Sequence, residues 1–217
     1  MRRCVLVSGG EIRDYGRIRS LLREDDFFLY CDSGLLHEQG LGRKPDLTVG
    51  DFDSHPRPDS GEVLVLPREK DDTDTFFGAK EALRRGFGEF LMVGALGGRT
   101  DHSLGNLSVL LMLHEKGKKA VLADDYSLME IVGAEPAEIP DTCPWFSVLC
   151  IGGPASGVTI RNAKYPLENG EITCSWQYGI SNEVLPGKTA SVRAQRGKLL
   201  LIRVDRDSHG EKPDKMC

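Results

Sequence analysis

Two carboxylates, Asp51 and Asp53, follow a short β-branched run, Leu47 to Val49, that stops at Gly50. In an extended segment, residues two apart point to the same side. The pair is therefore expected to present both carboxylates together, with Phe52 turned inward behind them. Carboxylates held that close repel unless a proton, a base or a divalent cation lies between them. Hard oxygen ligands at a strand mouth suit Mg²⁺, which takes one or two carboxylates and completes its shell with phosphate oxygens and water. An isolated Asp-x-Asp is more commonly a solvated polar turn. The neighbouring motifs have to separate the two readings.

Three further stretches carry the same chemistry: Asp32-Ser33-Gly34, Lys70-Asp71-Asp72-Thr73-Asp74 and Gly97-Gly98-Arg99-Thr100-Asp101-His102. Asp71 and Asp74 are three apart at a helix start and can share a face. Capping alone accounts for first-turn acids such as Asp71 and Asp72, but less well for Asp74. Lys70 can hold a phosphate as a point charge, or be an ordinary solvated lysine. Gly97-Gly98 ahead of a helix lets backbone approach an anion at the dipole's positive end. Arg99 adds a planar fork for phosphate, and Asp101 can orient that Arg or a substrate cation. His102 can donate to a phosphate oxygen or simply serve as a structural hydrogen bonder. Ser8-Gly9-Gly10 is too weak a glycine signal to stand for a Walker A loop.

The elements that must position these groups follow from the apolar pattern. Buried strands are expected at Arg3–Val7, Phe27–Cys31, Leu47–Val49, Glu62–Leu66, Phe90–Val93 and Ala120–Ala123. Helices are expected from about Asp14 to Glu24, Asp71 to Arg85 and, capped by Thr100, onward to Lys116. Leu104, Leu107, Leu110, Leu111 and His114 outline the last of these. Such alternation predicts an N-terminal three-layer α/β domain with a mainly parallel sheet. Ligands then belong at the carboxyl ends of its strands. The acids follow nearly every strand there, and the opposite edge is expected to lack them. After Asp124 no helical period persists. Strand-like runs at Leu128–Val132, Phe146–Ile151, Val158–Ile160, Glu171–Ser175, Ala190–Ala194 and Lys198–Val204 predict a C-terminal all-β sandwich or jelly roll. The domains are placed at 1–125 and 126–204, with a mobile charged tail at 205–217.

The 217-residue chain is long enough for a proper core, and its 40% hydrophobic and 28% charged content is that of an ordinary soluble protein. A net charge of −5 without any Lys/Arg-rich run argues against nucleic acid as a partner. No apolar run has membrane-spanning or signal-peptide length. Six cysteines without a Cys-x-x-Cys pair exclude zinc-finger and thioredoxin-like patterns and suit a reducing, cytoplasmic compartment.

The ordered set Asp32-Ser33-Gly34, Pro45-Asp46-x-x-x-Gly50-Asp51-Phe52-Asp53-Ser54, Lys70-Asp71-x-Thr73-Asp74, Gly97-Gly98-Arg99-x-Asp101-His102 and Asn106 resembles the thiamin pyrophosphokinase family. Tyr165-Pro166-Leu167 and Ile180-Ser181-Asn182-Glu183 resemble that family's sandwich domain, so the likeness spans roughly residues 3 to 203. It implies Mg²⁺-dependent transfer of a diphosphoryl group from ATP to the thiamin hydroxyl. It also implies a homodimer with thiamin near the subunit interface. By position, Asp51, Asp53 and Asp74 would hold Mg²⁺ and the phosphates. Asp32, Ser33, Gly34, Lys70, Asp71, Thr73, Gly98, Arg99, His102 and Asn106 would bind nucleotide. Ser181, Asn182 and Trp176 would contact thiamin, and Asp74 or Asp101 would accept its hydroxyl proton. The family's first motif usually reads Asp-Gly-Gly. Ser33 carries a Cβ, so a left-handed backbone there would be costly. A phosphohydrolase using the same carboxylates and a non-catalytic nucleotide or thiamin sensor are the competing readings.

Overall fold

The computed structural model describes residues 2–52, 61–67, 71–143 and 145–204. It divides into two compact units, Met1–Asp125 and Tyr126–Cys217. Asp53, Lys70 and the charged tail therefore lie outside the described residues.

In the first unit the strands are β1 (Arg3–Val7), β2 (Phe27–Cys31), β3 (Leu47–Gly50), β4 (Glu62–Val65), β5 (Glu89–Val93) and β6 (Lys119–Ala123). They pair in parallel in the order β6-β5-β1-β2-β3-β4. β1, β2 and β3 are buried along their whole length, which is why they read as continuous apolar runs rather than alternating ones. The chain lays down β1 to β4 in one direction and then returns to the other side of β1 for β5 and β6. The strand order thus reverses between β1 and β5, and a crevice opens above their carboxyl ends.

Among the described residues, four helices and a 3₁₀ segment connect these strands: α1 (Tyr15–Ser20), the 3₁₀ turn Asp32–His37, α2 (Glu38–Leu41), α3 (Asp74–Arg84) and α4 (Thr100–Glu115). α3 packs over β1, β2 and β3 as well as against α4. Gly78 permits this, because a Cβ there would lie 2.9 Å from Leu29 Cδ2 and 3.0 Å from Cys31 Sγ. A mid-helix glycine costs about 1 kcal/mol in propensity. Here it lets the helix close onto the sheet and brings the Asp74 end to the strand mouths.

Two helix details differ from expectation. Thr100 is the first helical residue of α4, and Arg99 occupies the cap position without a side-chain cap bond. The buried face of α4 runs through Asn106, Val109, Leu110 and Leu113, whereas Leu104 is 60% exposed.

The second unit contains two antiparallel sheets. One orders β12 (Asn182–Glu183), β9 (Trp145–Cys150), β14 (Leu199–Val204) and β7 (Ser127–Val132). The other orders β11 (Leu167–Ile172), β10 (Ala155–Arg161), β13 (Thr189–Arg193) and β8 (Ala137–Pro140). Their inward residues share one core, with Phe146, Val148, Leu199 and Leu201 from the first sheet meeting Ile139, Val158, Ile160 and Val192 from the second. This is a sandwich. The expected strand Glu171–Ser175 lies instead at Leu167–Ile172, and residues 173–176 form a turn.

Candidate functional site at the strand mouths

The crevice between β1 and β5 deepens into a cavity of about 750 Å³ at the carboxyl ends of the first unit's strands. Its floor begins at Ser8-Gly9-Gly10, where β1 ends. The Ser8 N–H donates to the Val93 carbonyl at 2.9 Å and the Gly10 N–H to the Gly94 carbonyl at 2.6 Å. A Cβ on Gly10 would strike the Leu96 and Gly94 carbonyls, so only glycine lets the two loops lie this close. Ser8 Oγ and Thr75 Oγ1 share a hydrogen bond at 2.8 Å, tying the floor to α3. In the sequence the glycines of this Ser-Gly-Gly turn match no phosphate-loop pattern. What makes it part of the site is the strand order.

The second wall comes from the end of β2. Asp32 is buried and has a left-handed backbone, φ 43°. Ser33 also lines the cavity, but it is not among the left-handed residues. The conformational demand expected at position 33 therefore falls one residue earlier, on an Asp, which tolerates it better than most residues. Gly34 does not line the cavity; a Cβ on it would press on the Val7 carbonyl. Its role is close strand packing. His37 was not anticipated. It is buried at the cavity edge, with Nε2 2.8 Å from the Gly10 carbonyl and Nδ1 2.8 Å from Tyr15 Oη. A carbonyl can only accept, so Nε2 carries the proton and Nδ1 accepts from the tyrosine. Burial lowers the His37 pKa, partly opposed by the bond to Gly10.

Asp51 and Asp74 line the same space. β3 stops at Gly50, and Phe52 turns left-handed at φ 56°. The backbone at Phe52 is therefore not extended, and the strand alternation expected to align Asp51 with Asp53 does not run through it. Thr73 caps α3 by accepting from the Phe76 N–H at 3.2 Å, and it too faces the cavity. The positive end of α3 therefore opens onto the site. Asp71 lies outside the lining, and Asp72 is committed to Lys80 at 2.7 Å.

The third wall is the loop after β5. Gly94, Gly97 and Gly98 are all left-handed, and Asn106 Nδ2 donates to the Ala95 carbonyl at 2.8 Å from within the core. Asn106 thus pins the loop that α4 follows. Arg99 and His102 line the cavity, and Asp101 does not. Asp101 instead grips the Arg99 fork, with Nε at 3.1 Å and Nη2 at 2.6 Å. That pairing holds the Asp101 carboxyl down at about 2. So weak a base is poorly matched to taking a proton near neutrality. Of the parts the sequence offers Asp101, orienting Arg99 is the one its contacts show.

Among the described residues the cavity is lined by the carboxyl residues Glu11, Asp32, Asp51 and Asp74, together with hydroxyls, glycine backbone, Arg99 and the N-termini of α3 and α4. Among the described residues no three His, Cys, Asp or Glu side chains cluster closely enough to hold a metal unaided. A donor set of scattered hard oxygens beside an anion-binding backbone fits Mg²⁺, whose remaining ligands come from phosphate and water.

In the second unit, residues 176–183 run antiparallel along the outer edge of β9. Val148 N–H donates to the Gly179 carbonyl at 2.8 Å, the Ser181 N–H donates to Ser147 Oγ at 3.0 Å, and Asn182 pairs with Phe146. Trp176, Tyr178 and Ile180 project from this segment and are exposed, the indole at 5.0 Å from the Tyr178 ring. Ser181 is exposed and left-handed at φ 60°. Asn182 is buried, and its amide is engaged with the Tyr165 backbone in both directions and with the Glu183 N–H. It holds the Tyr165-Pro166-Leu167 loop beside a small cleft that Tyr165, Tyr178 and Ile180 also line.

Comparison with known proteins gives a consistent outcome. Residues 18–122 match the family model for the thiamin pyrophosphokinase catalytic domain, and residues 135–199 match its vitamin B1 binding domain. The chain is 26% identical to thiamine pyrophosphokinase of Bacillus subtilis over 212 residues, covering 94% of this chain and 99% of that one. The solved B. subtilis enzyme superposes with a TM-score of 0.81 at 23% identity, covering 94% and 99% of the two chains. That of Geobacillus thermodenitrificans gives 0.80 at 25% identity, covering 96% and 99%.

Proposed function

The chain belongs to the thiamin pyrophosphokinase family, and from that premise we propose that it makes thiamin diphosphate by moving the terminal diphosphoryl group of ATP onto the thiamin hydroxyl, releasing AMP. The observation that carries this reading is the convergence of carboxylates, glycine backbone, Arg99 and the α3 terminus on one cavity at the sheet's switch point. Transfer of this kind needs mostly positioning and neutralisation of phosphate charge.

Each wall has a part. Gly97, Gly98 and the α4 terminus cradle phosphate oxygens, and Arg99, aligned by Asp101 through Nε and Nη2, donates its remaining Nη N–H groups to them. Ser8, Ser33 and Thr73 supply hydroxyls, and His102 a further donor. Asp51, Asp74 and Asp53 would hold Mg²⁺, which when bound supplies charge neutralisation on the phosphate oxygens. Asp74 also receives the thiamin hydroxyl proton as the oxygen attacks the β-phosphorus in line with the departing AMP. Trp176 and Tyr178 offer the thiamin rings an aromatic face, and Ser181 a hydroxyl. The protein works as a cytoplasmic homodimer, with thiamin bound near the subunit interface. No helix among the described residues is long and apolar enough to cross a membrane.

The test is a discontinuous assay with ATP, Mg²⁺ and thiamin. AMP and thiamin diphosphate should rise in equal amounts, and neither should form without thiamin. Nucleotide hydrolysis indifferent to thiamin would point to a phosphohydrolase instead.

A further inference from the structure

We infer that Cys150 and Cys174 form a reversible disulfide site, closed by exchange with a low-molecular-weight disulfide, that fixes the turn carrying Trp176 and Tyr178 and so alters thiamin binding. The effect on thiamin rests on the reading of that turn as part of the thiamin site; the bond itself does not.

The two sulfurs already stand 3.5 Å apart. Cys150 ends β9 and is buried, while Cys174 sits exposed in the turn after β11. That turn is tight, with the Trp176 N–H donating to the Thr173 carbonyl at 3.0 Å. Gln177 then clasps the Cys150 main chain from both sides: its Oε1 accepts from the Cys150 N–H at 2.9 Å and its Nε2 donates to the Cys150 carbonyl at 3.4 Å. The backbone around both cysteines is therefore registered before any bond forms. Closing the pair needs about 1.5 Å of further approach between the sulfurs. The turn can supply it because its other face is solvent.

The chemistry balances as a thiol–disulfide exchange. Cys174, the accessible thiol, loses its proton and attacks the external disulfide, releasing one small thiol. Cys150 then loses its proton and attacks the Cys174 sulfur, releasing the second. Two protein thiols are oxidised to one disulfide, and the external disulfide is reduced to two thiols. Burial and the neighbouring Cys174 push the Cys150 thiol up to about 11, so the exposed Cys174 is the thiol that meets the external disulfide first. Cys4 and Cys31, in β1 and β2 of the first unit, are both buried. Once closed, the bond ties the turn to β9 at the point where the exposed aromatic segment begins.

The experiment equilibrates the full chain with glutathione buffers from fully reduced to fully oxidised, followed by peptide mapping without reduction and by steady-state assay. We expect the Cys150–Cys174 cross-linked peptide to accumulate, to vanish on adding dithiothreitol, and to be absent in Cys174→Ser. The thiamin KM should shift several-fold on oxidation, with the ATP KM unchanged and the shift lost in Cys174→Ser. Failure of the cross-link, with Cys174 ending only as a glutathione adduct, overturns the site. A cross-link that leaves the thiamin KM unmoved overturns its effect on binding. Trp176→Ala, assayed alongside, then tells whether the thiamin-site reading falls too, because that reading requires this variant to raise the thiamin KM.

Discussion

Around the cavity, chemical role follows from where each carboxylate stands. Asp74 stands at the open end of α3 and faces the site. Asp101, four residues into the neighbouring loop-helix junction from Gly97, spends both oxygens on Arg99. Replacing Asp74 with Asn is therefore expected to lower kcat by about 100-fold or more, through loss of a proton acceptor and a phosphate-side charge. Asp101→Asn should cost about ten-fold and act mainly on the ATP KM, because Arg99 keeps its charge and loses only its alignment. Equal losses in kcat for the two variants, measured under saturating substrates, would contradict this division. Asp51→Asn should resemble Asp74→Asn and be only weakly rescued by raising Mg²⁺. The residue types of this site were legible in the chain, and their geometry was not. Periodicity cannot show that Phe52 leaves the extended region, or that Asp32 rather than Ser33 takes the left-handed backbone. Both are local responses to how β2 and β3 end against their neighbours.

At the scale of the element, α3 joins function at one end to stability at the other. Its first residue is Asp74, and its last turn holds Glu81 between Arg84 and Arg85, each at 2.7 Å. Arg85 reaches on to Glu62 of β4, with Nη1 at 2.9 Å. Hydrogen bonds from Arg84 first, and then from Arg85, hold the Glu81 carboxyl down at about 2. A depressed folded-state pKa stabilises the fold above the ordinary carboxyl pKa and loses that contribution as pH falls through the folded value. With the Arg84 side chain largely in solvent, the stabilisation is on the order of 1–2 kcal/mol. Glu81→Gln should therefore lower the midpoint of urea unfolding at pH 7, with the gap to the parent protein narrowing as pH drops below about 4.5. A gap that widens on acidification would show that Glu81 acts by some other route. The existence of α3 was plain from its apolar spacing, as was the alternation of strands and helices before Asp124. Short edge elements were not. β8 (Ala137–Pro140) mixes Ala, Glu, Ile and Pro, and β12 is two residues long. Neither carries an apolar pattern of its own, because each is held by its partner strand. The phase of α4 was misread for a related reason: Leu104 continues the leucine spacing yet stays exposed, while the buried Asn106 earns its place through the Ala95 carbonyl.

Across the first unit as a whole, acids stand at both edges of the sheet, contrary to the expectation that only one edge would carry them. What distinguishes the edges is the cavity. At the amino ends of the strands, Asp26 is bound by Arg3, Asp46 lies 3.8 Å from Arg2, Glu62 meets Arg85 and Glu89 meets Arg23. Sequence could not reveal this, since partners such as Arg3 and Asp26 are brought together only by the parallel pairing of β1 with β2. At the carboxyl ends, Asp32, Asp51 and Asp74 line a cavity. One edge is thus built for cohesion and the other for ligand charge, and the two should be separable by mutation. The Asp26 carboxylate is fully enclosed, receives Arg3 Nε at 2.9 Å and Nη2 at 2.7 Å, and accepts from the Arg23 N–H at 2.7 Å. Removing it in Asp26→Ala strands a buried guanidinium, at a cost of about 3–5 kcal/mol. The thermal midpoint is then expected to fall on the order of 10 °C, while kcat and both KM values, measured well below that midpoint, stay within about two-fold. Asp51→Asn should do the reverse, leaving the midpoint within a few degrees and abolishing most turnover. Were Asp26→Ala to impair catalysis as severely as it impairs stability, the two edges would have to be coupled through the strands, and the separation of their roles would not hold.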